Sequence, residues 1–216
     1  MKRSIASLFV VAMVCGLHSP SSATDWDGAY LGAHLGGSLA DFDWWFRPLP
    51  GGSPNNQVNH DGSGLLAGAQ IGYDWQIGSW VVGINAEAAK AHVQGSARCP
   101  GRSWSCESDA QWVGSAKARF GYSFSDVLLY TTGGVGFSKL EAVSQRGSDR
   151  GEIDRTHAGW VIGGGVEYSI TEQWSVKGEF LHYDFTDRPY QRANNDIIVD
   201  TGYRLNNVTI GVNRRF

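Results

Sequence analysis

Seven charged residues stand inside segments that otherwise alternate between apolar and small side chains: Glu87, Lys117, Arg119, Glu167, Lys177, Glu179 and Arg215. Confined together away from water they would have to pair, because an unpartnered buried charge costs several kcal/mol. Such a set can be a static structural network. It can also be a gate, in which one acid exchanges basic partners and opens a thin water path. Other chemistry is sparse. His34, His92, His157 and His182 are scattered over four segments, and none has a Ser and an acid at useful spacing. The runs "GGVGF" and "GGGV" lack the helix that a phosphate loop needs. No Cys and His set completes a tetrahedral metal site. The sequence therefore predicts no catalytic, cofactor-binding or metal-binding residues. The least favoured alternative is a lipid-modifying enzyme whose Ser and His meet only in space.

The elements that would position those charges are strands. No window after residue 23 reads as a long amphipathic helix. Alternating segments rich in Val, Ile, Tyr, Trp and Phe recur at about 26–38, 64–75, 80–92, 110–122, 127–140, 156–169, 174–186 and 203–216. Three connections are short: "QIGS", "SFSD" and "ITEQ". Those at about 39–63, 93–109, 141–155 and 187–202 are long and polar. Short and long connections alternate, as they must if one set of turns lies on one side of a membrane and the loops lie on the other.

Parity assigns the faces. In "AQWVGSAKARFGYS" the residues Trp112, Ala116, Ala118, Phe120 and Tyr122 share one face, and Gln111, Ser115, Lys117 and Arg119 share the other. Trp80, Val82 and Ile84 likewise oppose Asn85 and Glu87; Trp160, Ile162 and Val166 oppose Glu167; Trp174, Val176 and Phe180 oppose Lys177 and Glu179. A soluble barrel would turn its apolar face inward and keep charges out of its interior. A membrane barrel inverts this and places interfacial aromatics at strand ends, which predicts a girdle of Trp26, Trp75, Trp80, Tyr122 and Trp174 beside the short turns. The 29 glycines among 216 residues are about twice the usual ~7% and suit a narrow, strongly curved sheet. The expected fold is an all-β, eight-stranded antiparallel up-and-down transmembrane barrel with four long outer loops and three short periplasmic turns. Eight strands leave an interior just wide enough for side chains to fill.

The ends of the chain agree. Lys2 and Arg3, an apolar run from Ile5 to Leu17, and Ser21 and Ala23 before Thr24 have the layout of a secretory signal peptide. This predicts cleavage of residues 1–23 and a barrel over 24–216. Export favours a disulfide between Cys99 and Cys106 in "CPGRSWSC". A net charge of −3 without a basic stripe argues against nucleic-acid binding. The chain stops within an alternating strand, in which Val208, Ile210, Val212 and Phe216 share one face. That strand would pair with the first and leave no edge. Arg214 shares the apolar parity, near enough to the boundary to snorkel.

The start "WDGAYLGAHLGG" after a signal, the eight-segment plan and the ending "VNRRF" resemble the RopB type of small outer-membrane β-barrel proteins of alphaproteobacteria, a porin family similar to the barrel domain of OmpA. The resemblance implies an outer-membrane location and a surface barrel with a structural envelope role. A narrow porin-like channel is the alternative. It also implies that Val208, Ile210, Val212 and Phe216 form the strand read by the barrel assembly machinery, and that the other partner is outer-membrane lipid around a monomer without cofactors. The Cys99/Cys106 loop departs from the family pattern, as does the expected lack of a peptidoglycan-binding domain. Phe42, Trp44, Trp45 and Phe46, in the first long connection, read either as an outer aromatic girdle or as a patch that binds a host surface, a phage or haem.

Overall fold

The computed structural model describes the backbone of residues 24–48, 56–98, 105–146, 149–191 and 197–216, and the side chains of 24–43, 61–93, 111–139, 156–185 and 202–216. The expected signal segment 1–23, the Cys99/Cys106 pair and the side chains of Trp44, Trp45 and Phe46 lie outside the described residues.

Eight strands form one closed antiparallel barrel in chain order. They are β1 Gly28–Pro48, β2 Asn56–Ile77, β3 Trp80–Arg98, β4 Ser105–Phe124, β5 Val127–Arg146, β6 Asp149–Ser169, β7 Trp174–Gln191 and β8 Ile197–Arg215. Closure is made by β1 against β8, in register from Tyr30↔Arg215 to Pro48↔Ile197. Beyond it the amide of Phe216 donates to the carbonyl of Ala29 at 3.0 Å. No backbone edge is left among these strands, so the chain end is held rather than frayed.

The strands run further than the hydrophobic alternation indicated. Pairing continues through Phe46↔Asn56, inside the stretch expected to be the first long connection. Ladder hydrogen bonds need no alternating apolar face once the register is set, so the strands continue above the apolar band. On β1 that band holds Leu31, Leu35 and Leu39 and ends at the exposed Asp41. The three short turns bear out the expected parity: Trp75, Trp80, Tyr122 and Trp174 are all exposed on the outward face beside them.

Two aromatic expectations are corrected. Trp26 is 1% exposed and sits inside the mouth against Val81, Leu128 and Tyr130. Trp26 continues the even, inward phase of Tyr30, His34 and Ser38, while the odd residues Asp25, Asp27 and Ala29 stay exposed, and the φ of +118° at Gly28 sets the path by which the chain enters the mouth. Phe42 also points inward and is buried. It shares the inward parity of Ser38 and Ala40, which excludes it from an outer girdle.

Candidate functional site

The interior is built in tiers from the inward residues of all eight strands. At the short-turn end lies Trp26. Above it Arg119 on β4 donates to Asp74 on β2 at 3.3 Å and to Glu167 on β6 by a short bond. Arg215 on β8 donates to the same Asp74 oxygen at 3.0 Å. The second carboxylate is fully enclosed, because Glu167 Oε1 also accepts from Ser175 Oγ at 2.6 Å and from Asn213 Nδ2 at 2.9 Å. The Arg119 guanidinium lies 3.9 Å from the centroid of the Tyr130 ring. Its charge is thus met by two carboxylates and a π face, which offset the cost of burying it.

The next tier holds the remaining charges. Lys117 lies 3.0 Å from Glu87 and 3.5 Å from Glu179, and Lys177 lies 2.9 Å from Glu179. Tyr130 donates to Glu179 Oε1 at 3.2 Å. Tyr183 and Ser115 donate to Glu87 Oε1 at 2.9 and 3.2 Å. All seven charged residues singled out by parity are inward. They form two groups, {Arg119, Glu167, Arg215} with Asp74, and {Glu87, Lys117, Lys177, Glu179}. Sequence reasoning missed Asp74, which balances four bases with four acids. Its signal was present: Gln70, Gly72 and Asp74 alternate with Ile71, Tyr73 and Trp75, but an Asp beside a short turn reads as a turn residue.

The outer half of the interior is apolar. Phe42, Tyr183, Phe185 and Tyr203 pack with Leu181, Leu205 and the neighbouring valines into one buried cluster. Phe185 stacks on Tyr203 with ring centroids 4.7 Å apart, and Phe42 stacks on Tyr203 at 5.7 Å. Room for Tyr30 and Tyr130, lower in the lumen, comes from the glycines paired with them on the neighbouring strands. A Cβ on Gly72 would meet the Tyr30 ring at 2.4 Å, and one on Gly165 would meet Tyr130 Oη at 2.7 Å. Between the two charged groups remains a void of about 10 Å³ lined by Tyr30, Asn85, Lys117, Arg119 and Tyr130, among others. That is the space of roughly one water molecule.

Of the scattered histidines, His34 is inward and buried, and His182 faces outward, 2.8 Å from the Asn206 side chain and against the Trp160 ring. No group of three His, Cys, Asp or Glu suited to a metal occurs among the described residues. On the outside, Val208, Ile210, Val212 and Phe216 are all exposed on one face of β8. Arg214 shares that face, with its guanidinium 5.1 Å from the Phe216 ring and 6.0 Å from the Trp174 ring.

The family model described as "Outer membrane protein beta-barrel domain" matches residues 7–216. Among curated proteins, the 31 kDa outer-membrane immunogenic protein of Brucella melitensis is 28% identical, with 99% of this chain and 97% of that protein covered. The 22 kDa outer membrane protein of Rhizobium leguminosarum bv. viciae is 25% identical, with 90% and 80% covered. Among solved structures, the outer membrane protein OprG of Pseudomonas aeruginosa superposes with a TM-score of 0.56 at 12% identity, covering 90% of this chain and 99% of that one. The Escherichia coli outer membrane protease OmpT superposes at 0.52 with 10% identity, covering 91% and 99%. At such identities these two establish the shared barrel fold alone.

Proposed function

The chain belongs to the outer membrane protein beta-barrel domain family, and from that premise we propose that it is a surface-exposed structural component of the outer membrane whose lumen is a packed core. The observation that carries this reading is the double filling of the interior. Four acids and four bases pair within the inner half, and stacked rings occupy the outer half. Filling of this kind stabilises a barrel much as a core stabilises a soluble domain, and the void between the two charged groups holds about one water. Surface exposure is supported by relatives whose names describe them as outer-membrane immunogenic proteins. Lipid around the apolar band, insertion of a monomer, and recognition of the β8 residues Val208, Ile210, Val212 and Phe216 by the assembly machinery belong to the same reading. Among the described residues the charged groups of the lumen are buried and paired with one another, and no enzymatic role is proposed.

One arrangement favours the second reading, a narrow channel. Glu179 lies between Lys117 and Lys177, at 3.5 and 2.9 Å, and could exchange partners. Liposome swelling separates the two. Vesicles containing the purified protein should swell in a small sugar no faster than empty vesicles. Swelling that slows as the solute grows would establish the channel and defeat the packed-core reading.

A further inference from the structure

The residues that precede β1 do not trail away from the barrel; they fold back beneath it. We propose that Thr24–Asp27 form a built-in stopper, with Trp26 as its plug and the short turns as its latch, which seals the inner mouth beneath the ion pairs and shares only Arg215 with them. The proposal goes beyond the packed-core reading, because it concerns which segment closes the mouth and what holds it there.

The latch draws on distant parts of the chain. The Thr24 hydroxyl donates to Asp126 in the β4–β5 turn at 2.8 Å. The amide of Trp26 donates to the side chain of Gln76, which leads into the β2–β3 turn, at 2.6 Å. The Gln76 amide donates back to Asp27 Oδ2 at 3.2 Å. Arg215, at the end of β8, donates to the carbonyls of Trp26 and Gly28 and lies 5.5 Å from the indole centroid. These anchors come together only once the barrel has closed, so the stopper can seat only after β8 has met β1.

The plug fits its seat. Val81 and Leu128 are the first inward residues of β3 and β5 after their turns, both fully buried, and Trp26 packs across them against Tyr130. The re-entrant path depends on Gly28. At its positive φ an L side chain is strained, and a Cβ there would meet the Phe216 carbonyl oxygen at 2.8 Å. The indole N–H has no hydrogen-bond partner among the described residues. Packing, the cation–π contact and the backbone bonds therefore hold the plug, and side-chain substitutions in the latch can release it without unmaking the barrel ladder.

Thiol accessibility tests this. In the detergent-purified protein with its other cysteines replaced by Ser, Val81→Cys lies behind the plug and Leu205→Cys lies in the outer aromatic tier. A charged, water-soluble methanethiosulfonate should label neither at an appreciable rate. Adding Trp26→Gly should speed labelling at position 81 by about tenfold or more, as the population of the open mouth rises, and leave position 205 protected. Should Trp26→Gly impair folding, judged by heat-modifiable gel migration, the pair Gln76→Ala and Asp126→Ala retains the plug, cuts the latch and should also speed labelling at position 81. Fast labelling of position 81 with the stopper intact would overturn the proposal. So would protection that persists in both released variants. Fast labelling of position 205 in the parent would defeat the packed-core reading, with position 81 still deciding the stopper.

Discussion

The inner and outer halves of the lumen solve the same problem by opposite means. The inner half is filled with charges that are neutral in sum and closely paired: Arg119 alone meets Asp74, Glu167 and the face of Tyr130. The outer half is filled mainly with rings that stack on one another and on aliphatic neighbours, with His157 edge-on to Tyr203 and the Tyr183 hydroxyl reaching down to Glu87. Ion pairs offset burial only while every partner stays in place, so the inner half should respond sharply to the loss of one group. A ring cluster loses area and leaves a cavity, and its neighbours relax into part of that space. The two halves also differ as barriers to water. A broken ion pair invites hydration, whereas an apolar constriction excludes water.

Substitutions in each half sharpen this contrast. The largest effect should come from Arg119→Leu, which leaves the buried Glu167 without a base and Asp74 with Arg215 alone. A loss of about 3–5 kcal/mol is expected, read from the urea midpoint of refolding in detergent. An unchanged midpoint would mean that these carboxylates are solvated. Phe185→Ala should cost about 3 kcal/mol in the same assay through the cavity left beside Tyr203 and Tyr183. If its cost matched or exceeded that of Arg119→Leu, the two halves would not differ in the way proposed. Glu179→Gln should cost only about 1–2 kcal/mol, because the amide still accepts a hydrogen bond from Lys177 and Lys117 retains Glu87. The smallest effect is expected at Arg214. Arg214→Leu on the outward face, where the side chain is exposed and unpaired with any acid among the described residues, should move the midpoint by less than about 0.5 kcal/mol.

The two halves were also unequally legible in the sequence. The inner charges stand out because a Lys, Arg or Glu interrupts a parity that is otherwise apolar on one side and small on the other, as at Lys117 and Arg119 between Ala116, Ala118 and Phe120. The outer tier is silent by the same test. In "EFLHYDF" both faces carry large side chains: Phe180 is exposed while Leu181, Tyr183 and Phe185 are buried, so alternation of hydrophobicity disappears just where the lumen becomes apolar. Phe42 escaped for a related reason: Asp41 and Asp43 flank it on the outward phase above the apolar band, so a rule that turns charges inward sends the ring to the wrong face. Trp26 was within reach of parity, since it shares the even phase of Tyr30 and opposes the outward Leu31 and Leu35, but a Trp beside a short turn reads first as a girdle residue. The closed eight-stranded fold was legible throughout, because turn lengths and strand count constrain it redundantly.

Conductance of the protein in a planar bilayer, compared with that of Glu179→Ala and of Glu179→Ala combined with Phe185→Ala, tests the packed lumen most directly. The account predicts no steady conductance for the parent, at most brief flickers for Glu179→Ala because the outer ring tier still excludes water, and sustained small openings only when both tiers are breached. Steady conductance from the parent, or from Glu179→Ala alone, would contradict it.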